Sequence, residues 1–222
     1  MPKVSEEYFE KKKQFIVDAA YKVCLRKPVE MITMTDVIEE TGLSQGGIYR
    51  FYKDLDEILC DVIAATRTEF NIIDDIENAL GSADRLSFSD GVHKIFDILA
   101  DAMEKHLLDI QKINFDLTVL AINEPERAER IAGGIRGRGN FEYLATVALP
   151  ALIKGSADKG LKPRDDPKKI ADFISSAYVG IEMNCILSAC YKKAPMAADC
   201  RPGPLFDTLA RTVVYLCGGE EE

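Results

Sequence analysis

The sequence predicts an all-α chain in two parts: a three-helix helix-turn-helix module over residues 1–53 and a larger helical portion over 54–222. Three observations carry that prediction. Apolar residues recur at three- and four-residue intervals along most of the chain, the period of a helix with one buried face, while the every-second-residue alternation of a strand is missing. Capping residues mark helix starts and stops throughout. The segment TGLSQGGIYRFYKD, Thr41 to Asp54, sets a turn glycine between two short helical stretches, the layout of a helix-turn-helix.

The elements follow in order. Ser5 to Arg26 carries Tyr8, Phe15, Ile16, Ala19, Ala20 and Val23 in one stripe, with Lys11, Lys12 and Lys13 on the other side. Lys27-Pro28 ends this helix, because the residue before proline is pushed out of the helical region. Thr33 followed by Asp36 reads as an N-cap with an acidic third residue, and the second helix runs to Thr41 and stops at Gly42. Ser44 caps a third helix, Gln45 to Tyr52, and Asp54 caps a fourth that continues through Ile58, Leu59, Val62 and Ile63 towards Ile76. Gly81 to Ser89 is a polar connection. Asp90 to His106 carries Val92, Ile95, Phe96, Leu99 and Met103 in a stripe, and Leu108 to Ile122 forms a helix ended by Glu124-Pro125. Glu126 to Gly160 is helical with a glycine-rich interruption. Asp166-Pro167, a cap followed by proline at the first helical position, opens a helix to about Tyr191. Pro195 to Pro204 is a loop, and Leu205 to Cys217 is the last helix.

Composition narrows the class. With 47% hydrophobic and 29% charged residues in 222, the chain has enough apolar surface for a folded core. No apolar stretch of secretory type opens the sequence, so the cytoplasm is the expected location. The least charged run, Phe173 to Ala189, is interrupted by Ser175, Ser176, Glu182, Asn184 and Ser188, which suits a buried or interface helix better than a membrane span. The six cysteines form no CxxC pair, and His93 and His106 complete no zinc pattern, so reduced thiols, no metal and no cofactor are expected. No nucleophile, base and acid fall into a catalytic pattern. The net charge of −9 is uneven: residues 1–53 carry nine Lys/Arg against eight Asp/Glu, and the whole acidic excess lies beyond them. An acidic whole is compatible with a nucleic-acid partner when the basic residues are segregated.

On the third helix Ile48, Phe51 and Tyr52 share one face and can pack on Val37, Ile38 and Leu43, which leaves Gln45, Gly46, Tyr49 and Arg50 facing away. A helix entering a major groove brings its N-terminal backbone close to DNA, and Gly46 and Gly47 remove the side chains that would hold it off. Ser44 and the free N–H groups there suit a phosphate. Tyr49 can donate to phosphate, Arg50 can clamp phosphate or read guanine, and Gln45 can pair with adenine. The competing reading of the same residues is a glycine-softened core helix.

IVDAAYKV in the first helix and TMTDVIEETGLSQGGIYRFYKDLDEIL after it resemble the DNA-binding domain of the TetR/AcrR family of transcriptional regulators. The shared features are Thr33 opening the second helix, Gly42 at the turn, Ser44 capping the third, then Gly46, Ile48, Tyr49, Phe51-Tyr52 and Lys53 through Leu59. The resemblance implies phosphate contacts from Thr33, Tyr49 and Lys53 and base contacts within residues 44–50. Gln45 stands where lysine is common, Gly47 where threonine or alanine is common, and Phe51-Tyr52 reverses the usual order, which touches operator sequence rather than fold. Further on, GLKPRDDPKKIADFISSAYVGIE is similar to the family's passage into its penultimate long helix. The resemblance implies a homodimer through the last two long helices, a small-molecule inducer bound in the C-terminal portion, and release from a palindromic operator.

Apolar residues on two sides of 167–191 agree with a helix facing both a subunit core and something else. Glu182 is the one charge between Phe173 and Cys190, and a carboxylate placed there needs a partner: a basic group of the same subunit, a residue across an interface, or a cationic ligand. With Tyr178 one turn before it, and Phe96, Met103, Phe115 and Tyr143 on other helices, it forms the candidate ligand set. GGIRGRG, Gly133 to Gly139, lacks the GK[ST] ending of a phosphate loop and reads as a bend in the helix. The alternative function is an all-α enzyme or carrier whose helix-turn-helix is only structural.

Overall fold

The computed structural model describes residues 6–81, 86–191 and 199–220. Part of the Pro195–Pro204 loop and part of the Gly81–Ser89 connection lie outside the described residues. All regular structure in the described residues is helical, and the chain divides into two compact units.

The first unit spans 1–69 and 112–137. It contains α1 (Glu6–Arg26), α2 (Met34–Thr41), α3 (Gln45–Ile48), α4 (Leu55–Glu69), most of α7 (Ile110–Asn123) and α8 (Pro125–Gly134). Its core draws on all of them except α3's glycines: Ile16, Ala20 and Val23 from α1, Val37 from α2, Ile48 from α3, Ile58, Leu59 and Val62 from α4, Ile113 and Leu120 from α7, and Ile131 from α8. The packing unit is thus wider than residues 1–53. Helices as short as α2 and α3 bury too little surface on their own, and the longer helices complete the core.

Capping sets the geometry of α2. Thr33 Oγ1 accepts from the Asp36 N–H at 3.3 Å while Asp36 Oδ2 accepts from the Thr33 N–H at 2.8 Å, a reciprocal capping box. Lys27 Nζ donates to both Asp36 oxygens at 2.7 and 2.8 Å. That ammonium, with the Thr33 bonds, lowers the Asp36 pKa from 3.8 to about 2. The helix closes at Gly42 with φ 66°, a left-handed conformation suited to glycine.

α3 is shorter than its predicted span. Only Gln45–Ile48 is α-helical; the chain continues as hydrogen-bonded turns, with Phe51 and Tyr52 N–H donating to the Ile48 carbonyl at 2.8 and 3.2 Å. Two glycines among four residues supply little helix propensity, so one turn is all that the cap and the core contacts sustain.

α4 likewise stops at Glu69 rather than running to Ile76. Beyond it, Asn140 Nδ2 donates to the Phe70 carbonyl at 2.9 Å and its Oδ1 accepts from the Ile72 N–H at 3.3 Å, satisfying the interrupted backbone. Asn71 Oδ1 then accepts from the Ile73 N–H at 2.8 Å and starts the next helix.

The second unit spans 70–111 and 138–222. It holds α5 (Ile73–Gly81), α6 (Phe88–Lys105), α9 (Asn140–Tyr143), α10 (Leu149–Asp158), α11 (Pro167–Cys190) and α12 (Pro202–Leu216). α6 packs on α12, and α11 packs on both α12 and α10. A wider π-type turn, Leu144–Ala148, joins α9 to α10, whose second residue, Pro150, has no N–H to give the helix. Asp166 Oδ1 caps α11 by accepting from the Lys168 and Lys169 N–H groups. The glycine-rich GGIRGRG falls where the predicted interruption stands: α8 ends at Gly134, and Gly137 has φ 82°.

Candidate nucleic-acid interface

The helix-turn-helix face is built by burying one side of a short segment and leaving the other bare. Ile48 and Tyr52 are buried, and Phe51 is half-buried with its ring 4.8 Å from that of Phe9. The Tyr52 hydroxyl donates to Asp61 Oδ2 at 2.8 Å, and Lys13 Nζ lies 5.0 Å from the Tyr52 ring and 3.7 Å from the same carboxylate. Burial and the Asp61 carboxylate push the Tyr52 hydroxyl well above the usual phenol range.

Ser44, Gln45, Gly46, Tyr49, Arg50 and Lys53 are exposed on this segment. Ser44 Oγ accepts from the Gly47 N–H at 3.2 Å, so the cap holds the glycine pair in place. A Cβ at Gly46 would meet no atom within 4 Å, leaving its backbone bare, whereas one at Gly47 would lie 3.2 Å from Ser44 Oγ, tight against the cap. Among the described residues Tyr49, Gln45 and Arg50 have no side-chain partner, and their polar ends are available. Lys53 Nζ sits 3.6 Å from the Asp54 carboxylate with 81% of its side chain exposed, a weak tether in water. The Thr33 hydroxyl, by contrast, is already committed: it donates to Asp36 Oδ2 at 2.8 Å.

The candidate ligand residues are gathered only in part. Phe96, Met103, Tyr143 and Tyr178 belong to the core of the second unit. Phe206, a residue not singled out from the sequence, sits between two of them, with ring centroids 6.3 Å from Phe96 and 5.6 Å from Tyr178. The signal for it was its place on the inward face of the last helix. Tyr143 donates from its hydroxyl to Glu77 Oε1 at 3.2 Å. Phe115 stands on α7 in the first unit and is not part of this cluster, because the chain crosses between units at the start of that helix. Glu182 lies half-buried one turn after Tyr178, and burial raises its pKa from 4.5 to about 7. It has no salt-bridge or hydrogen-bond partner among the described residues.

A cleft of about 380 Å³ opens elsewhere in the unit, lined by Ser87, Asp90, His93, Leu161, Arg211 and Val214 among others, and none of the candidate ligand residues borders it. Among the described residues no three of His, Cys, Asp and Glu are grouped as a metal would need.

Comparison with known proteins shows the fold. The chain has the all-α fold of the TetR-family transcriptional regulators, with an N-terminal helix-turn-helix and a helical C-terminal portion. It superposes on a chain from Mesorhizobium loti assigned to that family with a TM-score of 0.65 and 17% identity, covering 93% of this chain and 96% of the other. The Thermus thermophilus FadR, a TetR-family transcriptional repressor in complex with lauroyl-CoA, superposes with a TM-score of 0.54 and 12% identity, over 95% and 97% of the two chains. In sequence, the chain is 28% identical over 185 residues to the uncharacterised HTH-type transcriptional regulator YfiR of Bacillus subtilis, covering 83% of this chain and 85% of that one. No family model matches the chain.

Proposed function

We propose that this chain is a ligand-responsive, DNA-binding transcriptional regulator, a repressor released from a palindromic operator by a small-molecule inducer. The observation that carries the reading is the bare row Gln45, Gly46, Tyr49, Arg50 and Lys53, held outward by the buried Ile48 and Tyr52. Residues 1–53 form the DNA-contacting part and 54–222 the regulatory part. Gln45 and Arg50 read base edges, Gly46 and Gly47 permit the approach, and Ser44, Tyr49 and Lys53 contact phosphate. Thr33 adds a phosphate contact only through an oxygen already shared with the Asp36 cap.

Migration of duplex DNA from the chain's own upstream region, retarded in a salt-dependent way, is the direct test. Lys53→Ala should weaken every operator about equally and flatten the dependence of log K on log salt by about one unit for each phosphate that is no longer neutralised. Gln45→Ala should cost ~1–3 kcal/mol at one base pair only. An unchanged salt slope in Lys53→Ala would remove that residue from the interface. Absence of any salt-dependent duplex binding would favour the alternative, an all-α enzyme or carrier with a structural helix-turn-helix.

The regulatory part works as a homodimer in this reading. α11 passes the length and composition test for a membrane span, with a mean hydropathy of 1.3 over its most apolar window. Yet it buries Ile170, Ile174, Tyr178 and Ile181 against its own unit and leaves Phe173, Val179, Met183 and Leu187 on the opposite side. A second α11 covers that exposed face, and the protein is a cytoplasmic, non-enzymatic regulator without a cofactor. The inducer enters the core of the second unit near Tyr178, between α6, α11 and α12, beside Phe96, Met103 and Tyr143. Glu182, lacking a partner, favours a cation. That the Thermus thermophilus FadR, a chain of the same fold, is in complex with lauroyl-CoA supports a ligand-responsive reading without indicating the ligand.

A further inference from the structure

All six cysteines are free thiols, and two of them, Cys185 on α11 and Cys200 just ahead of α12, share one core. Cys185 lies on the buried face of α11, at the edge of the second unit's core. Fifteen positions later, Cys200 is half-buried and packs against that same core. What holds it there is Ser188, one turn after Cys185: Ser188 Oγ accepts from the Cys200 N–H at 3.2 Å. Asp199 adopts φ 59°, a left-handed turn that the short polar Asp tolerates, and this turn directs Cys200 back towards α11. Burial, and to a lesser degree the electrostatic influence of Cys200, push the Cys185 thiol up to about 11.

We propose that Cys185 and Cys200 form an oxidisable dithiol, a modification site for peroxide-class oxidants that closes to an intramolecular disulfide. Cys200 is the entry point because it is the more accessible of the two. Its thiolate attacks one oxygen of hydrogen peroxide, the O–O bond breaks, and a sulfenic acid forms as hydroxide departs and is protonated to water. The Cys185 thiol then gives up its proton, its sulfur attacks the sulfenic sulfur, and a second water leaves. Two thiols and one peroxide become one disulfide and two waters, with the two electrons passing from sulfur to the peroxide oxygens. The high thiol pKa of Cys185 makes the second step slow at neutral pH and faster as pH rises, since the thiolate is the attacking form.

The linkage ties the segment ahead of α12 to α11, which restricts the unfolded chain and raises the melting temperature by about 5–10 °C in the oxidised protein. The experiment treats the purified full chain with hydrogen peroxide, alkylates the remaining thiols, and maps linked peptides before and after dithiothreitol. The expected result is a reducible Cys185–Cys200 peptide that forms in wild type and in Cys190→Ser and is absent in Cys200→Ser, together with the upward melting shift. Cys200→Ser perturbs a half-buried site and keeps the test independent of whether a Cys185 variant folds. A Cys190–Cys200 linkage, a disulfide only between subunits, or sulfinic acid at Cys200 with no linked peptide would overturn the proposal.

Discussion

Removing the charge of Glu182 should stabilise the isolated protein, and only above mildly acidic pH. Below pH 4.5 the carboxyl is protonated in both folded and unfolded chains, so it contributes nothing. Between 4.5 and about 7 the unfolded chain is ionised while the folded chain holds its proton, so stability falls as pH rises. Above about 7 the full cost is present. At 1.36 kcal/mol per pH unit the upper bound is ~3 kcal/mol, and because the side chain keeps some contact with water the working figure is ~1–2 kcal/mol. Glu182→Gln keeps the shape and loses the charge. Its stability should exceed that of wild type by ~1–2 kcal/mol at pH 8, roughly 2–8 °C in melting temperature, and by much less at pH 5. Urea unfolding of both proteins at the two pH values measures it, and taking the difference cancels the other carboxylates. A variant less stable than wild type at pH 8 would show that the carboxylate has a partner in the free protein. A gain of equal size at both pH values would show that packing, not charge, was changed. Repeating the pair with a lipophilic cation present separates the ligand reading: wild type alone should then gain stability at pH 8.

Three further outcomes follow from the packing. A Cβ at Gly134 would lie 2.7 Å from Cys60 Sγ, so Gly134→Ala should destabilise the first unit by ~1–3 kcal/mol in chemical unfolding, and adding Cys60→Ala should recover much of that loss. Thr33→Ala should cost ~1 kcal/mol by removing the cap of α2, and the Asp36–Lys27 contribution, present above pH 3.8, should be lost from wild type as pH falls towards 2 and be absent in Lys27→Met, as acid unfolding curves would report. Gly180→Leu should yield monomers or a weakened dimer in sedimentation without loss of helicity, and an unperturbed dimer would place the interface on another face.

What could be read without the structure divides along a physical line. Caps are local, and Thr33 with Asp36, Gly42, Ser44 and Asp166 all stand where side-chain chemistry and short spacing put them. Periodicity is also local, and it places Ile48 and Tyr52 inward, where they are found. The helix ends that differ share another cause. The break after Glu69 is stabilised by Asn140, some seventy residues away, and no pattern near Glu69 announces it. Spacing alone extends α3 too far because its aromatic face continues the helical period through Tyr52, although the backbone there is held by turns and by the core. The candidate ligand set suffers most. A stripe of large apolar residues looks the same whether it fills a core or lines a pocket, and Phe115 shares the spacing of its neighbours while belonging to the other unit.

The short α3 also says how an exposed face of this kind can be held rigid. One helical turn containing two glycines has almost no intrinsic stability in water. Its orientation must therefore come from the residues just after it. Tyr52 supplies this: its ring is buried, its hydroxyl is bound to Asp61 on α4, and Lys13 from α1 contacts both the ring and that carboxylate. Phe51 leans on Phe9 of α1. Two aromatic anchors thus tie the segment to two long helices, and the cap at Ser44 fixes its start. The glycines leave the outer backbone bare without loosening the frame, because the frame does not depend on helix propensity. This resolves the conflict within TGLSQGGIYRFYKD, where residues that weaken a helix stand beside residues that seek burial: the aromatics hold the position, and the glycines keep the outward surface open.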